Sequence, residues 1–146
     1  MNEAFDRKAW HGTNLRGSIR RLDAPGAAWR PAPGRHNAWE IVAHAAYWKY
    51  AVRRRLTGEK RGSFSEAGSN WFARPSLPDE RAWRRDVASL LDQHRRLRDV
   101  VARLRDTDLR RKPPGSQFTV GALVRGAAAH DLYHAGQIQL LKRLQL

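Results

Sequence analysis

The chain has 146 residues, long enough for one hydrophobic core, and a formal net charge of +14, with arginine supplying 23 of its 28 basic residues. It contains no cysteine, which excludes disulfides, thiolate zinc sites and a cysteine nucleophile. No window approaches the ~20 apolar residues of a membrane span, and Met1–Lys8 has no apolar run of signal-peptide length. The expected setting is the cytoplasm, with no membrane partner.

Strong positive charge invites a nucleic-acid reading, but its placement argues otherwise. Arg53-Arg54-Arg55, Arg84-Arg85, Arg95-Arg96 and Arg110-Arg111 fall in separate segments, mixed with acids over 79–108. No aromatic-basic RNA signature, zinc finger or Gly-rich phosphate loop accompanies them. They read as solvated faces, so nucleic acid is not an expected partner, and weak binding to polyanions is what the charge leaves open.

In chain order, residues 3–22 come first. Phe5, Ala9, Gly12, Leu15, Ile19 and Leu22 recur at spacings of three and four, which predicts one amphipathic helix with His11 at the edge of its stripe. The Pro- and Gly-rich stretch 23–34 is a connection. Asn37, followed three residues later by Glu40, predicts a capping-box start for a second helix, and Gly58 its end. Ile41, His44, Trp48, Val52 and Arg55/Leu56 trace its inner face. A polar stretch to about Pro78, anchored by Trp71-Phe72, is long for a connection. It either crosses one end of a bundle, letting two helices run parallel, or folds over a site.

Asp79 or Ser76 can cap a third helix, whose seam of Trp83, Val87, Leu90, His94, Leu97, Val101 and Leu104 is the pattern of bundle packing. His94 interrupts it, as a further metal ligand, a buried hydrogen-bonding group or a rim residue. After the breaker Lys112-Pro113-Pro114-Gly115, Thr119 caps the last helix. Its first turns carry Gly121, Ala122, Gly126 and Ala127, small enough for close helix approach or for a cavity above the histidines of the same helix. The fold class is all-α: a four-helix bundle over residues 1–146 as one domain, with a long crossover between the second and third helices.

Chemistry concentrates at the end. Leu123, Ala127, His130, His134 and Leu141 share one helical stripe, so His130 and His134 stack on the face aimed at the core. Imidazoles there must be hydrogen-bonded or hold a metal. His44, alone on its apolar stripe, reads as a satisfied core histidine; beside an inward His130/His134 pair it becomes a third ligand. Three neutral histidines with an open position are the layout of a catalytic metal site. The metal would give a bound water or thiol nucleophilic character. Asp131 occupies the place of the general base in His-Glu-x-x-His proteases but is one methylene shorter, and no later ligand falls at a protease spacing. Inner carboxylates for a di-iron site are almost absent.

Three sets of segments carry a further signal: Trp10-His11-Gly12 with Asn14-Leu15, then residues 33–44 through Trp48 and Arg53-Arg54-Arg55-Leu56, and finally His130-Asp131-Leu132-Tyr133-His134-Ala135-Gly136-Gln137-Ile138. In these the chain resembles the DinB-like superfamily of bacterial four-helix-bundle metalloenzymes. The resemblance implies metal ligation by His44, His130 and His134, with nickel or zinc as the divalent ion, and homodimers. Relatives of this kind transfer low-molecular-weight thiols to small-molecule substrates or isomerise with their help, and others are described as metal-dependent hydrolases. The expected function is a metal-dependent, thiol S-transferase-like enzyme. The alternatives are a metal-dependent hydrolase, a non-catalytic metal-binding dimerisation module with His94 closing the shell, and a basic nucleic-acid-associated protein. The resemblance gives no role to His11 or His36.

Overall fold

The computed structural model describes residues 1–68, 70–75 and 77–145. Its elements are α1 (Asn2–Phe5), α2 (Leu15–Ser18), α3 (Ala24–Ala28), α4 (Ala38–Thr57), α5 (Glu80–Val101), a 3-10 turn (Asp106–Arg110) and α6 (Val120–Leu144). The fold is all-α, and no strand occurs among the described residues.

Local signals set the ends of the long helices. Asn37 and Glu40 form the reciprocal capping box at the start of α4, and Gly58 ends that helix in the left-handed conformation at φ 76°. Asp79 accepts from the amides of Arg81 and Ala82 at the start of α5, and Thr119 from Ala122 at the start of α6. Each cap is worth about 1 kcal/mol. Ser76, the other candidate cap for α5, lies outside the described residues.

The predicted first helix is not continuous. Phe5, Leu15 and Ile19 are buried as its stripe requires, but the helix stops where Asp6 turns to φ −144°, Gly12 takes φ 101° in the loop that follows, and Asn14 starts a new helix by accepting from the Gly17 backbone N–H at 2.8 Å. The Asn14 side-chain Nδ2 also donates to the Arg7 carbonyl, closing a loop that leaves Trp10 97% exposed. Stop and start signals inside the stripe outweigh its periodicity. Conversely, the connection 23–34 contains the short helix α3, capped by Asp23, with Pro25 in its first turn where the missing N–H costs nothing.

Three long helices therefore carry the architecture. Trp39 meets Trp83 and Asp86 near the starts of α4 and α5, and Val52 and Leu56 meet Leu97 near their ends, so the two run parallel. Lys49 pairs with Asp131 while Val52 packs with Leu123 and Val120, so α6 runs antiparallel to α4. On the remaining side, α1 and α2 pack on α6, and Phe5 reaches His94 of α5. Short segments, and no fourth long helix among the described residues, cover this side.

Parallel α4 and α5 oblige residues 58–79 to retrace α4, about 30 Å long at 1.5 Å per residue. Phe64 and Phe72 pack edge-on against Tyr47 at 5.5 and 5.6 Å, and Arg74 bonds Asp86 at 2.9 Å. The stretch makes the helices parallel by running back along α4 and not across one end, and its Asn70 and Trp71 lie over His44.

Candidate metal centre

Three imidazoles from two antiparallel helices converge in the interior. His44 Nε2 lies 3.1 Å from His130 Nε2, which lies 3.0 Å from His134 Nε2. One ligand atom from each residue falls within 4.8 Å of the other two. His44 and His134 are buried, at 5% and 2% exposure, and His130 is half-buried.

Proton accounting decides what this cluster can hold. His44 Nδ1 sits 2.7 Å from the Asn70 carbonyl, and His134 Nδ1 sits 2.7 Å from Gln137 Oε1. Those oxygens only accept, so both Nδ1 atoms donate, and the neutral rings present bare lone pairs at Nε2. His130 Nε2 can bring one proton to two such acceptors. Three nitrogens thus share at most one proton, an arrangement hydrogen bonds cannot satisfy and a single cation can. A tetrahedral shell at ~2.0–2.1 Å would set neighbouring donors roughly 3.3 Å apart, near the separations seen. Held outer nitrogens are also what metal-ligating histidines need for orientation.

The crossover supplies part of that support. Asn70 takes the left-handed region at φ 72°, which aims its carbonyl at His44, and its side-chain oxygen accepts from Trp48 Nε1 at 2.8 Å. Trp71 stacks on His44 at 3.8 Å and on His36 at 3.7 Å. Sequence reasoning assigns no role to Asn70 or Gln137. Gln137 is findable, because it lies three residues after His134 on the same helix face; Asn70 comes from a distant loop and leaves no local signal.

Burial disfavours the charged imidazoles. It is the largest cause of a shift to about 3 for His130 and about 4 for His134, and it lowers His44 as well. For His130 the neighbouring His134 and His44 add like-charge repulsion. All three are neutral at pH 7, the form a cation requires.

The other candidate residues fall elsewhere. His94 is buried at 2% exposure, stacks on Phe5 at 3.6 Å and hydrogen-bonds through neither nitrogen, apart from the triad. This removes it as a fourth ligand to the same ion. Asp131 points into the core, where its carboxylate oxygens bond Lys49 at 2.6 and 2.7 Å. Burial pushes Lys49 down and Asp131 up, each opposed by the other's charge. A carboxylate so engaged cannot serve as a protease-type general base. His11 is exposed, and His36 bonds Glu40 at 3.0 Å.

Fold and site together define an all-α protein with a buried tris-histidine cluster that can hold a metal ion. The chain belongs to the DinB superfamily, whose family model matches residues 8–138. No curated protein and no solved structure matches it. No helix is long and apolar enough to cross a membrane among the described residues.

Proposed function

We infer that this chain is a divalent-metal-dependent enzyme acting on a small molecule, with nickel or zinc on His44, His130 and His134 and a low-molecular-weight thiol as the nucleophile. One observation carries the reading: three interior imidazole nitrogens face one another with at most one proton among them, two of the rings held from behind by oxygen acceptors. Such an ion supplies Lewis acidity toward a thiol or water that reaches it.

The chain's own residues do the rest. Asn70 and Gln137 fix the tautomer and tilt of His44 and His134, and Trp48 and Trp71 shield the cluster from solvent. Half-buried His130 borders a cavity of about 450 Å³, an approach for substrate. Water attack would want a protein base, and Asp131, the nearest acid in sequence, is locked to Lys49. That favours thiol transfer and leaves hydrolysis as the second reading. A non-catalytic module would want a closed shell, which His94 does not provide. The family's homodimer belongs, on this reading, on the exposed α6 stripe of Tyr133, Leu140 and Leu144.

Elemental analysis of protein purified without added metal tests the centre, and the expected result is one divalent ion per chain. His134→Ala should lower the affinity for Ni²⁺ or Zn²⁺ more than 100-fold. Loaded protein, screened with several low-molecular-weight thiols against a panel of electrophiles, should then show thiol-dependent turnover. Absence of stoichiometric metal, with His134→Ala unchanged in metal content and stability, overturns the proposal.

A further inference from the structure

The cavity beside His130 has a chemistry of its own. Trp48, Val52, Phe118 and Leu123 make it mostly apolar, the usual character of a small-molecule site. Small residues of α6 create the room: a Cβ built at Gly126 would meet no heavy atom within 4 Å. Lys49 and Asp131 also reach the wall but neutralise each other. Arg55 is different. Its guanidinium lies over the Trp48 ring, 5.9 Å from the centroid, and makes no ion pair among the described residues. A guanidinium without an ion-pair partner keeps its planar N–H fork available, and that fork pairs with two oxygens of one anionic group.

We propose that this cavity binds an amphipathic monoanion: an apolar, ring-sized body against Trp48 and the Gly126 face of α6, with one carboxylate on Arg55. Placed so, the body lies beside His130. The ligand's role as the acceptor substrate rests on the metal-enzyme reading above; its binding does not, because neither Arg55 nor the apolar wall depends on an ion.

Isothermal titration with 2-naphthoate and its neutral counterpart 2-naphthalenemethanol, on metal-free and Zn²⁺-loaded protein, tests this. The naphthoate should bind at one site and at least tenfold more tightly than the alcohol. Arg55→Gln should erase that preference while leaving alcohol binding unchanged. Gly126→Leu, which fills the cavity and improves helix propensity, should weaken both ligands at least tenfold with metal affinity unaltered. Equal binding of acid and alcohol, no binding of either, or a Gly126→Leu protein that binds as the wild type does would each overturn the proposal. Naphthoate binding with this variant pattern in a protein that takes up no metal would support the cavity's ligand class and sink the metal reading. Stoichiometric metal without naphthoate binding would do the reverse.

Discussion

Two sets of buried histidines share this interior, and they differ in what lies behind each ring. His130 and His94 occupy core-facing positions of long helices, and burial pushes both down to about 3. At the triad, His44 and His134 are held at Nδ1 by Asn70 and Gln137, so their Nε2 lone pairs meet at His130. Around His94 there is a ring stacked on Phe5, and neither nitrogen has a hydrogen-bond partner. A depressed imidazole pKa therefore does not by itself mark a ligand: burial is its largest cause at both rings. What separates the triad from a lone core histidine is the convergence of lone pairs at the near nitrogens, with oxygen acceptors behind two of the three rings.

The Lys49–Asp131 pair stands between these regions, since the Lys49 charge bears on both His94 and His130 and its ammonium lies 4.6 Å from the Phe5 ring centroid. Breaking it should give the largest effect. Lys49→Met leaves the Asp131 carboxylate buried without a counter-charge and should cost about 3–5 kcal/mol in urea unfolding. Lys49→Met combined with Asp131→Leu should recover most of that loss. Equal destabilisation by the single and double variants would mean that the pair matters for shape and not for charge.

Next in size is the support behind the ligands. Gln137→Ala leaves all three imidazoles in place but removes the acceptor that fixes His134. Metal affinity, measured by competition with a chromogenic chelator, should fall about 10- to 100-fold. If affinity is unchanged, the distinction between held and unheld rings has no bearing on metal binding.

How far the sequence reveals this contrast depends on the range of the interaction. Helix caps are encoded within four residues, so Asn37–Glu40, Gly58, Asp79 and Thr119 are readable, as is the pairing of His130 with His134. Periodicity also places His44 and His94 inward, but it reports only which face is apolar and cannot say what a ring meets there. The first helix shows the same limit. Its stripe is real, yet the helix ends at Asp6 and a new one starts at Asn14, because a periodic face says nothing of backbone continuity. Asn70 is invisible for another reason: its carbonyl meets His44 only after the crossover retraces α4. The cavity is foreshadowed by Gly126 and Ala127, while the unpaired state of Arg55 belongs to tertiary structure alone.

The smallest effect should come from His94 itself, and pH exposes it. Burial, with Lys49, Arg98 and the N-terminal amine adding repulsion, keeps this ring neutral in the folded protein down to about 3. The unfolded chain takes up its proton as pH falls below about 6.5. Between those values the unfolded state binds more protons, so this contribution to stability is intact above pH 6.5 and shrinks as pH falls toward 3. At pH 5 the loss due to His94 is about 2 kcal/mol. His130 and His134 add a slope of the same sign in metal-free protein, so the decisive quantity is the difference between wild type and His94→Leu. That variant should flatten the curve between pH 7 and pH 5. At pH 7 it should also gain about 1 kcal/mol, because two unpartnered buried nitrogens are gone, and its Zn²⁺ affinity should match the wild type. Parallel stability–pH curves for the two proteins would show that His94 finds a partner for its proton, and the contrast with the triad would then be one of degree.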